Sequence, residues 1–171
     1  EVTMALTAEA LVLAGMAATP AEARALAGRA LASGAAAERF GAMVHAQGGP
    51  VDLIDHPERL ARAAVRLPVH ADAAGFVRHI DARELGLAVV VLGGGRTRPE
   101  HEVDHAVGLA DVLAVGEPCG PDRPIAVVHA RDATSAEHAA DRLRAAYRIT
   151  DEAVAPLPPV IDHIQGRRET A

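Results

Sequence analysis

The sequence predicts an α+β protein, a helical segment followed by a compact α/β unit. Three observations carry that expectation. Apolar residues recur at helical spacing across residues 1–49, where Pro20 is the only proline. From Val69 onward, Val- and Ile-rich runs alternate with Gly/Pro turns, the texture of short strands. Between the two lies a stretch punctuated by Pro50, Pro57 and Pro68. The organisation read from these signals is a helical segment at 1–49, a linker at 50–68, an α/β domain at 69–150 and a tail at 151–171. A length of 171 residues fits one domain, or a small domain with a piece of another.

Met4, Leu6, Leu11, Leu13 and Met16 form the first helical pattern, free of glycine until Gly15. Thr19-Pro20-Ala21-Glu22 is a capping box with proline at the first helical position. Leu26 and Leu31 then mark one side of a second helix, which ends at Ser33-Gly34. A third, about Ala35–Gln47, carries Phe40, Met43 and Val44 and stops at Gly48-Gly49-Pro50. One helical turn is expected near Glu58–Ala64. Pro68–Ala71 and Gly75–Ile80 read as strands, Ala82–Leu92 as a helix halted by Gly93-Gly94-Gly95. Ala106–Leu109 and Pro124–Ala130 read as further strands, with a turn-rich Gly116–Pro121 between them. Thr134–Ile149 reads as an arginine-studded helix, and the chain from Pro156 as loop.

Composition narrows the chemistry. The chain has 17 Lys+Arg against 23 Asp+Glu, and every one of the basic residues is an arginine. Without lysine there is no Schiff base, no P-loop lysine and no biotin or lipoyl attachment site. A net charge of −6, two Phe, one Tyr and no Trp speak against nucleic-acid binding, which needs a basic face or stacking aromatics. The single cysteine, Cys119, cannot make an internal disulfide or a CxxC metal site. Glu1 stands where a signal peptide needs base, and no apolar run reaches the roughly 18 residues of a membrane span. The expectation is a cytoplasmic protein with no membrane partner. The start at Glu1, directly in helical periodicity, reads as a fragment or a processed piece.

Two local motifs stand out. His101-Glu102-Val103-Asp104-His105 fits HExxH and extends through Gly108 to Asp111. On a helix, His101 and His105 would share a face and hold Zn²⁺, with Glu102 activating water and Asp111 as third ligand. This is the alternative reading, a zinc metallohydrolase. Against it, the last methionine is Met43, so no methionine turn follows the motif, and the residues after it read as strand. Gly93-Gly94-Gly95-Arg96 permits left-handed backbone and close approach beside an anion-binding side chain. These glycines follow a helix, so they are no nucleotide-fold phosphate cradle; a plain helix C-cap is the simpler account.

The scattered His45, His56, His70, His79, His129, His138 and His163 show no ligand spacing. Asp132 is placed to cap the last helix, Asp141 to pair with Arg144. Cys119, in a Pro/Gly turn with no base nearby in sequence, has no support as a nucleophile. A strand–turn–strand around Gly108 and Gly116 allows a third reading, an unmodified scaffold resembling biotinyl or lipoyl carriers.

The order of segments says more than any one of them. Glu1–Leu6, Ser33–Ala36, Phe40–Val44, Ala46–Gly49, Val69–Asp72, Gly75–Val77, Ile80–Arg83 and Leu85–Ala88 running to Leu92-Gly93-Gly94-Gly95-Arg96 come in turn. Val103-Asp104, Ala106–Gly108, Val115–Glu117 and Arg123–Ala130 follow. This collinear series over about residues 1–150 resembles the C-terminal portion of thymidine phosphorylases and related pyrimidine nucleoside phosphorylases. The resemblance implies that the helical segment 1–49 belongs to the larger α/β domain of such an enzyme, and that 69–150 is its C-terminal hammerhead-like α/β unit with a mixed, mostly antiparallel sheet. It implies a pentosyltransferase that reversibly cleaves thymidine or a related nucleoside with phosphate, giving free base and (deoxy)ribose 1-phosphate. The implied partners are the pyrimidine nucleoside and phosphate, in a homodimeric full-length enzyme. No cofactor is implied, phosphate being a co-substrate.

By the same resemblance, the phosphate-binding and nucleoside-binding residues of the family lie before Glu1. No catalytic residue is then carried over to this chain, and the fragment alone is expected to be inactive. Only Gly93, Gly94, Gly95 and Arg96 are carried over, as a loop that closes the substrate cleft. The His101–His105 stretch falls where the family has a loop of variable composition.

Overall fold

A computed structural model describes residues 1–164 of the chain. It divides into two compact units, one formed by Glu1–Arg59 with the chain from Pro158, the other by Leu60–Leu157.

The first unit is helical. Helices α1 (Val2–Leu13), α2 (Pro20–Ala32) and α3 (Ala35–Ala46) follow the periodicity of the sequence. Thr19 caps α2, its hydroxyl accepting from the Glu22 amide at 3.2 Å. The Glu22 carboxylate reaches one residue further back than a capping box requires and accepts from Ala18 N–H at 3.0 Å. Gly34, at φ 83°, makes the left-handed turn into α3. Ala8 of α1 and Ala23 and Ala27 of α2 are buried, small side chains that let the two helices approach closely. A short 3₁₀ turn, Pro57–Arg59, stands a little before the helical turn expected from sequence.

The second unit holds the hydrophobic core. Strands β1 (Val65–Val69), β5 (Ala126–Ala130) and β3 (Gly108–Ala110) form one antiparallel sheet in the order β1-β5-β3. Strands β4 (Pro118–Cys119), β2 (Gly75–Ile80) and β6 (Tyr147–Thr150) form a second, in the order β4-β2-β6. The expected mixed sheet is thus two small sheets, and every pairing among their strands is antiparallel. Central strand β5 alternates, with Ala126, Val128 and Ala130 buried and Val127 and His129 on the opposite face. Helix α5 (Ala133–Ala146) supplies Ala136, Ala139, Ala140, Leu143 and Ala146 to the same core as Val69, Val77, Leu92 and Ile125.

Several elements differ from the sequence reading for definable reasons. The long last helix ends at Ala146, and Tyr147–Thr150 is a strand. Tyr147 turns to extended backbone, and its buried hydroxyl donates to Leu113 O at 3.0 Å and Ile125 O at 3.4 Å. That anchor and the β-favouring Ile149 and Thr150 outweigh the helical run before them. Strand β1 starts at Val65 and contains Pro68, which is tolerated because β1 is an edge strand and needs no N–H there. Helix α4 (Ala82–Val89), capped by Asp81, passes into a π-type turn at Val90–Gly94. Strand β4 lies inside the stretch read as turn.

Candidate functional site

The Gly93–Arg96 loop is built from its base upward. Leu92, buried to 2% exposure, pins the end of the π turn into the core. Gly93 then takes φ 100°, outside the range of ordinary side chains, and sends the chain out of the helix. A Cβ on Gly93 would collide with the guanidinium of Arg131. The missing side chain is what lets that arginine in. Arg131 Nη2 donates to Leu92 O at 3.4 Å and stands 3.8 Å from the Asp104 carboxylate.

Asp104 ties the far end of the loop to the near end. Its amide donates to Gly93 O at 2.9 Å, and its carboxylate accepts from Ala106 N–H at 3.0 Å. Gly94 is packed as tightly, since a Cβ there would lie 2.9 Å from Val89 Cγ1 and 3.4 Å from Val107 O. The base is therefore a closed clasp made by residues 92–94, 104 and 131. Within the loop, Thr97 Oγ1 and His101 Nδ1 are 2.8 Å apart, and His101 N–H donates to Arg98 O at 3.1 Å.

Arg96 sits past the clasp on the exposed part of the loop. Among the described residues it makes no ion pair and no side-chain hydrogen bond. A fixed base carrying an uncommitted guanidinium can bring positive charge and two parallel donors to an anion. Arg131 and Asp104 are the residues sequence reasoning missed as parts of this loop. Arg131 stands directly before the helix cap Asp132, and nothing in its neighbours announces a contact 39 positions away.

The zinc reading is corrected here. His101–Asp104 are irregular loop and His105 enters a turn, so the one-face geometry of a helix at i and i+4 is absent. Asp111 lies beyond β3 at φ 51°. Among the described residues no group of three or more His, Cys, Asp or Glu side chains is arranged to hold a metal ion. The other histidines are placed individually. His56 pairs with Glu58, His70 Nδ1 lies 3.0 Å from Gly120 O, and His129 Nε2 is buried without a hydrogen-bond partner.

Asp132 caps α5, accepting from Ser135 N–H at 2.7 Å; that bond and the Ser135 hydroxyl hold its carboxyl below the usual value. Burial pushes the Cys119 thiol up, the opposite of what a nucleophile needs. No helix among the described residues is long and apolar enough to cross a membrane.

Residues 76–150, which contain the whole clasp and loop, match the family profile of the pyrimidine nucleoside phosphorylase C-terminal domain. Thymidine phosphorylase of Burkholderia lata is 54% identical over 157 residues, 91% of this chain and 36% of that protein. The Burkholderia cenocepacia enzyme is 52% identical over the same length. That of Rhizobium meliloti is 47% identical over 167 residues, 97% of this chain and 38% of that protein. The chain thus spans a little over a third of the length of the curated relatives it matches. Residues 76–150 carry the C-terminal domain of the pyrimidine nucleoside phosphorylase family.

Proposed function

We propose that this chain is the C-terminal portion of a thymidine phosphorylase, and that its Gly93–Arg96 loop closes over the substrate cleft of the complete enzyme. The observation that carries the reading is identity of 54% across 91% of the chain with an enzyme of that name. The reaction is reversible phosphorolysis. Phosphate attacks the anomeric carbon of a pyrimidine nucleoside, the glycosidic bond breaks, and free base and sugar 1-phosphate leave. Phosphate is a co-substrate and no cofactor takes part.

The groups that hold phosphate and nucleoside belong to the remainder of the enzyme, which works as a cytoplasmic homodimer. The part of this chain is closure. Shutting the cleft excludes the water that would otherwise compete with phosphate. Arg96, exposed beyond a rigid base, supplies a cation on the closed side. The clasp of Gly93, Asp104 and Arg131 fixes where that cation arrives.

The test is a chimera in which this chain replaces the matched 157 residues of the Burkholderia lata enzyme. Thymidine phosphorolysis is expected of the chimera and not of the 171-residue chain alone. R96A should lower kcat/KM of the chimera about 10–100-fold with unchanged Tm, as loss of one charged contact to the reacting anion does. R98A should leave activity within about twofold. Phosphorolysis by the isolated chain, or an R96A chimera as active as its parent, would overturn the reading.

A further inference from the structure

The outer face of the β1-β5-β3 sheet carries a row of residues that the clasp does not use. Arg66 of β1 stands in register with His129 of β5, and Gly108 of β3 stands in register with His129 on its other side. Residues paired in this way share a face, with Cβ atoms about 5 Å apart. The opposite face belongs to the core, through Val65, Leu67, Leu109, Val128 and Ala130. His129 is half-buried, and its Nε2 is buried with no hydrogen-bond partner. Buried polar atoms are seldom left unsatisfied, and one left open is a place for a partner. Arg66 is exposed and, among the described residues, enters no ion pair and no side-chain hydrogen bond. Gly108 contributes no side chain, and nothing lies within 4 Å of where its Cβ would stand. Beside it is a cavity of about 160 Å³, lined by Ala106–Ala110 and His129. That is below the roughly 300–1,000 Å³ of pockets that take a drug-sized ligand, and suits one small polyatomic ion.

We infer that the Arg66–His129–Gly108 row binds a phosphate-sized oxyanion, either inorganic phosphate or the phosphoryl group of a small monoester. A guanidinium offers paired donors that match an oxyanion. An imidazole donates from one ring nitrogen when neutral and from both when protonated. The glycine lets the anion lie against the backbone of β3, an edge strand with one side free of any strand partner. Asp104, the carboxylate at the start of this segment, is taken up by Ala106 N–H at 3.0 Å and by Arg131 at 3.8 Å. The notch also adjoins the glycine loop, since a Gly94 Cβ would lie 3.4 Å from Val107 O. The inference uses only groups of this chain, and it stands whether or not the complete enzyme phosphorolyses nucleosides.

The experiment titrates the 171-residue chain with inorganic phosphate, methyl phosphate and acetate in turn, followed by NMR of the backbone amides and imidazole nitrogens. Saturable shifts of His129 and of the amides of residues 106–110 are expected, with a Kd of about 1–10 mM for phosphate. Methyl phosphate binding as tightly assigns the notch to a phosphoryl group with one oxygen free for an ester. Binding of inorganic phosphate alone assigns it to the free ion. Acetate binding as tightly as phosphate would overturn the assignment to a phosphate-sized anion. R66A, at an exposed edge position, should weaken phosphate binding about tenfold or more with unchanged Tm, and R66K should recover part of the loss. R78A, on the other sheet, should leave the Kd unchanged. Absence of saturable shifts up to about 50 mM phosphate would overturn the inference. So would a loss as large in R78A as in R66A, or binding that R96A abolishes and R66A leaves intact.

Discussion

Replacing Gly93 by alanine tests the clasp directly. Two costs add. Gly93 sits at φ 100°, and forcing a residue with a Cβ into that region costs about 1–3 kcal/mol. The new methyl also occupies the position of the Arg131 guanidinium, which must swing away. Arg131 then loses its bond to Leu92 O and its approach to Asp104, an exposed pair worth about 0–1 kcal/mol. The sum is about 1–4 kcal/mol. For a unit of roughly 100 residues this is a fall in Tm of about 5–30 °C.

Tyr147 is a convenient probe. It is the one tyrosine of a chain without tryptophan, and it lies in the core of the same unit at 4% exposure. Its fluorescence through a urea titration therefore reports the unit that contains the clasp. R131A alone should cost under about 1 kcal/mol. G93A introduced on the R131A background should cost less than on the native one, because the collision is gone and only the backbone term remains. A G93A variant within about 0.5 kcal/mol of the parent would refute the clasp, and equal costs on both backgrounds would refute the part assigned to Arg131.

The other expected outcomes concern the frame that holds the loop. L143A, at a fully buried position where α5 meets the core, should destabilise by about 2–5 kcal/mol in the same titration. Y147F should cost about 1–2 kcal/mol, since Leu113 O loses its buried donor. Burial first, then the Glu117 and Cys119 charges, push the Tyr147 hydroxyl up from 10.0 to about 12. A raised value means the neutral form is favoured in the fold. The associated stability, about 2–3 kcal/mol, is complete below pH 10 and is lost as pH rises toward 12. Y147F should flatten that alkaline loss, and an identical alkaline profile in the variant would refute the assignment. Asp132 has the opposite sign. Its carboxyl is held below 3.8 by Ser135, so the cap contributes fully above that pH and fades as pH falls through the depressed value. D132A should be less stable at neutral pH and show a weaker acid loss than the parent, measured by thermal melts from pH 6 to 2.5.

Much of the fold was legible because its signals are local. The Thr19 cap, the helical spacing of α1, α2 and α3 and the Asp132 cap each depend on residues a few positions apart. The Gly93–Arg96 loop was legible for the same reason, three glycines at the end of an apolar helix. Strand β6 was not, because its conformation is set by partners far away in sequence. Tyr147 extends because its hydroxyl finds Leu113 and Ile125, and because Phe76–Ile80 offers an open edge. HExxH misled in the opposite direction, since five residues in the right order say nothing about whether the backbone coils.

The sequence by itself determined the order of elements, the two textures of the chain and the family whose C-terminal domain it carries. Those follow from periodicity, capping chemistry and the collinear order of motifs, all carried along the chain. Tertiary structure alone decided that the strands divide into two sheets and that the last helix gives way to an edge strand. It also decided that Asp104 and Arg131 lock the glycine loop. Each of these is a contact between residues distant in sequence, settled by which donor reaches which carbonyl and which side chain fits where a glycine leaves room.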